Sequence, residues 1–146
     1  MAGGDTAGPM ASPEPDVVAL TRASMEATNR RDFDAAVAVF APDVVFDVEA
    51  AGLGRFDGIA AARRYLEDWI GSYDSQQFAR WEGTDVGNGV VLVEALLEAR
   101  PAGAAASLRE VWGFVAVWED GQIVSITADQ DIERARARAQ RAASRG

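Results

Sequence analysis

The sequence predicts an α+β fold, a roll of long, twisted antiparallel strands with helices gathered on one side of the sheet. Three observations predict it. Apolar residues recur at three- and four-residue intervals over much of the first half of the chain, in segments separated by Pro and Gly. From Gln76 onward the period falls to that of strands. Two tight-turn signals, Gly87-Asn88-Gly89 and Asp120-Gly121, then fold those strands back on one another.

Residues 1–15 are Gly, Ala, Pro and Ser with scattered acids. They bury too little apolar surface to offset the entropy of ordering, which predicts a flexible tail ahead of a single domain over residues 16–146. Asp16 is suited to cap a first helix that carries Val17, Leu20, Ser24, Met25 and Thr28 along one side. Asp32 caps a second, short helix through Phe40, and Pro42 stops it. A short apolar strand, Val44 to Val48, leads into a glycine-rich loop, Gly52 to Gly58. The third helix is the clearest: Ile59, Ala62, Leu66, Trp69 and Ile70 share a face, and Gly71-Ser72 ends it. Strands follow near Gln77–Thr84, Val90–Arg100, Leu108–Glu119 and Gln122–Asp129, with Pro101 to Ala106 as a looser connection. The last helix starts at Asp131 and buries Ile132, Ala135, Ala139 and Ala142 beneath a run of arginines, read as a solvated face favoured by the helix dipole.

Composition removes whole classes of chemistry. The chain of 146 residues has no Cys and no His, and all 14 basic residues are Arg. A Ser-His-Asp or Cys-His centre, a Schiff-base lysine, a Gly-Lys phosphate loop and a His- or Cys-ligated zinc cannot be built from this inventory, and neither cofactor nor metal is expected. Carboxylates, Arg, Ser/Thr, Tyr65, Tyr73 and 4 Trp remain. An enzyme made from them would use a carboxylate whose pKa an apolar pocket raises. The net charge of -9 argues against nucleic acid as a partner. No apolar run is long enough to span a bilayer, and the N-terminal stretch lacks the basic and apolar regions of a secretory signal, so the expected location is cytoplasmic.

Three pieces carry a family resemblance over roughly Asp16 to Ala143. They are Asp43-Val-Val-Phe followed by Gly54-x-Phe56-x-Gly58 and a helix, the Trp118-Glu-Asp-Gly121-x-Ile turn, and the ending Asp131-Ile-Glu-Arg-Ala-Arg. In these the chain resembles the SnoaL-like, ketosteroid isomerase-like branch of the nuclear-transport-factor-two-like superfamily, of the actinobacterial type. The resemblance implies a cone-shaped roll in which a strongly curved antiparallel sheet and three N-terminal helices cover a pocket, with a C-terminal helix beyond. It also implies a small hydrophobic organic molecule as partner. Isomerases, polyketide cyclases, hydrolases and non-catalytic binders share this fold.

The family's motifs transfer unevenly. The isomerase base falls at Glu49 counting back from Gly58 and at Val48 counting forward from Asp43. The isomerase Tyr falls near Ser24 and its oxyanion acid at Gly113, so two of the three parts are missing. Ala128 stands where epoxide-hydrolase relatives carry an Asp, with Asp129 on the opposite face.

Strand pairing supplies its own candidates. Across the Pro101–Ala106 connection Glu98 faces Arg109, Leu96 faces Val111 and Glu94 faces Gly113; across the Asp120-Gly121 turn Val117 meets Val124, Val115 meets Ile126 and Gly113 meets Ala128. Since Gly113 and Ala128 match pocket-lining positions of the relatives, this face is assigned to the cavity. The candidate catalytic set is then Glu49, Glu94 and Arg109, a base and an anion stabiliser acting on a carbonyl, polyketide-like or epoxide substrate. Phe46, Leu66, Trp69, Leu96, Val111, Gly113, Val115 and Ala128 are the candidate substrate-binding residues. Each has a plainer reading: Glu94 as a structural ion pair with Arg109 or Arg80, Glu49 as a solvated acid, Trp69 as core. The competing function is a non-catalytic ligand-binding or interaction domain whose pocket is partly filled by its own side chains. The opposite face carries Trp112, Phe114, Ala116 and Trp118 beside Ile123, too much apolar surface to leave in water, which predicts a homodimer packed through it.

Overall fold

Capping carboxylates start the helices where the sequence places them. Asp16 accepts the N–H of Ala19 at 3.0 Å and opens α1, Val17–Asn29, while Asp32 accepts that of Ala35 at 3.2 Å and opens α2, Phe33–Val37. The computed structural model describes residues 16–145, so the expected tail over residues 1–15 lies outside the described residues. Helix α2 ends before Phe40 because Phe40 already belongs to β1, Phe40–Asp47, which starts earlier than its apolar core suggested. A 3-10 turn, Glu49–Ala51, leads into β2, Arg55–Asp57, a short strand inside the stretch expected as loop. The remainder follows as α3 Ile59–Gly71, β3 Tyr73–Gly87, β4 Val90–Pro101, β5 Leu108–Glu119, β6 Gln122–Asp129 and α4 Ile132–Arg145. Both hairpin turns take the left-handed backbone their residues favour, with φ of 53° and 77° at Asn88-Gly89 and 51° and 80° at Asp120-Gly121.

The six strands form one open sheet in the order β2-β1-β6-β5-β4-β3, antiparallel throughout except for the parallel β1–β6 pair. Bulges bend it. One lies in β3 between Ala79 and Glu82, where Arg80 has φ 48°, and another in β6 opposite Val117 and Trp118. The edge strand β3 is covered by α1, whose Asn29 carboxamide accepts from the N–H of Phe78 at 2.9 Å and donates to its carbonyl at 3.4 Å, satisfying backbone that would otherwise be open. No described helix is long and apolar enough to cross a membrane.

The β4–β5 register is the expected one, Glu94 opposite Gly113 and Glu98 opposite Arg109. The β5–β6 register is not. Val117 pairs with Ser125, Val115 with Thr127 and Gly113 with Asp129, because Val124 bulges out between the Trp118–Ile123 and Val117–Ser125 pairs. The two faces of the sheet are also exchanged relative to the expectation. Trp112, Phe114, Ala116 and Trp118 turn toward α1 and α3 and are at most 7% exposed, so the surface proposed for a homodimer is the interior of the chain itself. Gly113 and Val115 turn the other way, and the main core forms without them. The concave side, enclosed by three helices, offers room for large rings; the convex side, under one alanine-striped helix, does not.

That convex seat depends on Gly113. A Cβ there would meet the Cβ of Ala135 at 2.6 Å and Cδ1 of Ile132 at 3.3 Å. Gly113→Ala should therefore push α4 off the sheet and cost about 1–3 kcal/mol in a denaturant titration. An unchanged midpoint would mean that α4 slides without penalty.

Candidate functional site

The helix-lidded pocket is built from four faces that meet over the concave sheet. Helix α1 contributes Thr21, Ser24, Met25 and Thr28, spaced three and four residues apart so that they share one side. Helix α3 adds Leu66 and Trp69, and β1 adds Phe40 and Phe46. The sheet floor is Phe78, Phe114, Ala116, Ile123 and Ile126. About 50 Å³ of the interior can hold the centre of a water molecule, room for a few heavy atoms rather than a polycyclic ligand. Aromatic packing takes up the remaining space. Trp69 lies 5.3 Å from Trp112, 5.8 Å from Phe78 and 5.8 Å from Tyr65, centroid to centroid, and Phe78 meets Phe114 edge-on at 5.5 Å.

The lining holds no charged side chain. Besides the Trp69 indole N–H, which donates to the Tyr73 hydroxyl at 3.2 Å, it carries three hydroxyls, and each has already used its proton. Thr21 donates to the Val17 carbonyl at 2.6 Å, Ser24 to the Ala36 carbonyl at 2.6 Å and Thr28 to the Ser24 carbonyl at 3.1 Å. Thr21 also accepts from Nε1 of Trp118 at 3.0 Å. A hydroxyl carries one proton and two lone pairs, so Ser24 and Thr28 retain the capacity to accept and none of the three retains the capacity to donate. An oxyanion needs donors, and this wall supplies none.

Of the residues the sequence nominated, Phe46, Leu66 and Trp69 line the pocket. Ala128 is buried on the same side of the sheet, opposite Phe114. Glu94 lies on the convex face, where its carboxylate accepts from Arg136 of α4 at 3.0 and 3.2 Å. Its partner is thus a residue of the last helix, neither Arg109 nor Arg80. Arg109 pairs with Glu98 at 3.3 Å on the same convex side, and both side chains are largely exposed. Leu96, Val111, Gly113 and Val115 share that side, with Val111 51% exposed. Glu49 is exposed in the 3-10 turn, where its N–H donates to Asp47 at 3.0 Å and its carbonyl accepts from Gly52 at 2.9 Å. The three expected catalytic residues are therefore not brought together, and none reaches the pocket. Sequence reasoning missed the α1 side chains, although Ser24 and Thr28 were placed on the correct face of that helix. Among the described residues, no three His, Cys, Asp or Glu side chains converge as a metal site requires.

Two buried polar groups lie close by. The Tyr65 hydroxyl has no hydrogen-bond partner among the described residues, and its ring stacks on Phe56 at 4.5 Å; burial, with Tyr73 beside it, pushes its pKa well above the usual phenol range. Asp129, 1% exposed, accepts two bonds from Arg134 at 2.6 and 2.7 Å and one from the N–H of Asp131 at 2.8 Å. The Arg134 guanidinium holds the Asp129 carboxyl below its ordinary value against the opposing effect of burial.

The model of the SnoaL-like domain matches residues 21–126. No curated protein matches the chain. Among solved structures, a Xanthomonas campestris protein provisionally named as a polyketide cyclase is 25% identical, with a TM-score of 0.67, covering 84% of this chain and 96% of its own. A nuclear-transport-factor-two-like protein of unknown function from Burkholderia pseudomallei is 21% identical, with a TM-score of 0.70 over 82% of this chain and 94% of the other. TerC, co-crystallised with polyporic acid, is 16% identical with a TM-score of 0.69, covering 85% of this chain and 98% of its own. The last two likenesses establish the fold alone.

The Asp129–Arg134 clamp ties β6 to the start of α4 and makes stability depend on pH. Because the folded carboxyl titrates below its unfolded value, the clamp stabilises fully above about pH 4 and is lost as pH falls through the folded pKa. Asp129→Asn should cost about 1–3 kcal/mol at neutral pH and less at an acid pH below about 4, as read by urea unfolding at both values. A cost that is equal at the two pH values would exclude the ionised clamp.

Proposed function

The chain belongs to the SnoaL-like domain family, and we propose that it uses the helix-lidded pocket to bind a small, mostly apolar molecule without carboxylate acid–base chemistry. One observation carries this reading. The pocket's lining is apolar except for three hydroxyls, whose protons are all committed to backbone carbonyls, and the Trp69 indole N–H, committed to the Tyr73 hydroxyl. Such a wall favours a ring-bearing guest that offers a hydroxyl or amine proton to Ser24 or Thr28, and disfavours one that develops negative charge. Glu49, Glu94 and Arg109 lie too far outside the pocket to act on that guest, which supports the non-catalytic alternative over an isomerase, cyclase or hydrolase reaction. Cyclisation of a polyketide-like substrate is the second reading, favoured by the provisional name of the Xanthomonas protein. It requires a proton acceptor, and the hydroxyl lone pairs are the acceptors the pocket offers.

Phenol and toluene test the proposal, since they share a ring and differ in one donor. Phenol should quench the tryptophan fluorescence saturably and bind roughly fivefold tighter than toluene, the worth of one hydrogen bond of about 1 kcal/mol. Leu66→Trp, which fills the cavity, should abolish binding of both. Glu49→Gln and Glu94→Gln should leave binding unaltered. Failure of both ligands to bind would sink the pocket assignment, and equal affinity for the two would sink the donor requirement.

A further inference from the structure

A second cavity lies on the opposite side of the sheet, between the C-terminal half of α4 and the convex face of β5 and β6. Its upper wall is Arg138, Arg141 and Arg145, at helical spacings of three and four that bring them to one side of α4. Below them are Val115, Val117, Ser125 and Thr127. About 240 Å³ of it can hold a water's centre, several times the 50 Å³ of the apolar pocket.

The charge in this cleft is unusual for the chain. With 23 acids against 14 bases, acidic partners are plentiful, and the two arginines in the first half of α4 have found them. Arg134 is paired with Asp129 and Asp131, and Arg136 with Glu94 and Glu133. Among the described residues, Arg138, Arg141 and Arg145 have no ion pair within 4.0 Å. The nearest buried acid, Asp129, already has its charge met by Arg134. Beneath the three guanidiniums, the Thr127 hydroxyl is buried and has no hydrogen-bond partner among the described residues. A buried polar atom without a partner is costly, and its presence beneath three guanidiniums that have no ion pair points to a ligand.

Attraction to the helix dipole accounts for arginines in the last turn of α4. It does not account for Arg138, which lies about two turns before the end, for the cleft beneath it, or for the orphaned hydroxyl. The C-terminal dipole opposes an anion with about half a charge, against three whole positive charges. We propose that the cleft is a binding site for a small molecule bearing a phosphate monoester or pyrophosphate group, its oxygens held by Arg138, Arg141, Arg145 and the Thr127 hydroxyl. Planar guanidinium forks match the tetrahedral oxyanion two bonds at a time, which a singly charged carboxylate cannot fully use. The apolar edge of Val115, Val117 and Ala142 accommodates a short organic body beside the charge.

Inorganic pyrophosphate, titrated into the full chain at low ionic strength and followed by calorimetry, should bind saturably with Kd below about 1 mM. Sodium chloride at matched ionic strength should give no such isotherm. Arg138→Gln with Arg141→Gln should weaken binding at least about tenfold while shifting the unliganded melting temperature little, because among the described residues neither side chain has an ion pair to lose and Arg134 remains to meet the Asp129 charge. Should that pair prove unstable, Arg141→Gln alone, at an exposed position, and Thr127→Val should each weaken binding severalfold. Amide shifts on titration should centre on Thr127 and leave Ser24 unmoved, separating this site from the apolar pocket. An unsaturable response, one that sodium chloride reproduces, or full affinity in the arginine variants would overturn the proposal.

Discussion

The architecture turns on one unpaired residue, Val124. Between the Trp118–Ile123 and Val117–Ser125 pairs it stands outside the ladder, so that each later residue of β6 faces opposite to where an unbroken hairpin would put it. Ile126 and Ala128 thereby join the concave core and Asp129 reaches α4. Without the bulge, Asp129 would be driven into the aromatic core and Ala128 would leave Arg134 with no acid on that strand. The burial of an ionised carboxylate among rings is prohibitive, so the bulge and the clamp specify each other.

With the faces fixed, side-chain volume distributes itself accordingly. On β5 the even positions Trp112, Phe114, Ala116 and Trp118 fill the concavity, and Gly113 and Val115 lie on the α4 side. The match is reciprocal: α4 presents Ala135 and Ala139, both essentially inaccessible to water, to a strand that has a glycine where the helix comes closest. The same logic leaves little free volume in the pocket, since Trp69, Phe78, Trp112 and Phe114 pack against one another there. A larger guest must displace Trp69 or Met25, two of the lining side chains that are themselves only partly buried.

Much of the fold was legible because its signals are local. Caps at Asp16 and Asp32, the periodicity from Ile59 to Ile70, and the Asn88-Gly89 and Asp120-Gly121 turns each depend on neighbours a few residues apart. The β4–β5 register followed from taking Pro101 to Ala106 as the connection between the two strands. The choice of face did not follow, because alternation says that two sides differ and not which is inward. Positions carried over from relatives pointed to Gly113, and the bulk of Trp112, Phe114 and Trp118 pointed the other way. Volume was the better guide: a three-helix lid buries more area than one alanine-striped helix, and large rings gain most from that burial. The alanine stripe of α4 and the small-residue face of β5 were both readable, and together they identify the convex side. The bulge at Val124 had no such signal, since no glycine or proline marks it.

Strand β6 consequently serves two unlike cavities with alternate residues. Ile123 and Ile126 meet the apolar pocket, while Ser125 and Thr127 open onto the basic cleft. The separation is chemical as well as spatial. Hydroxyls on the helical side have donated their protons to carbonyls and can only accept, whereas the Thr127 hydroxyl has spent neither capacity. An anion is therefore repelled by the first environment and drawn to the second, and a neutral ring with a donor is sorted the opposite way. Any register change at Val124 would therefore exchange the two linings at once.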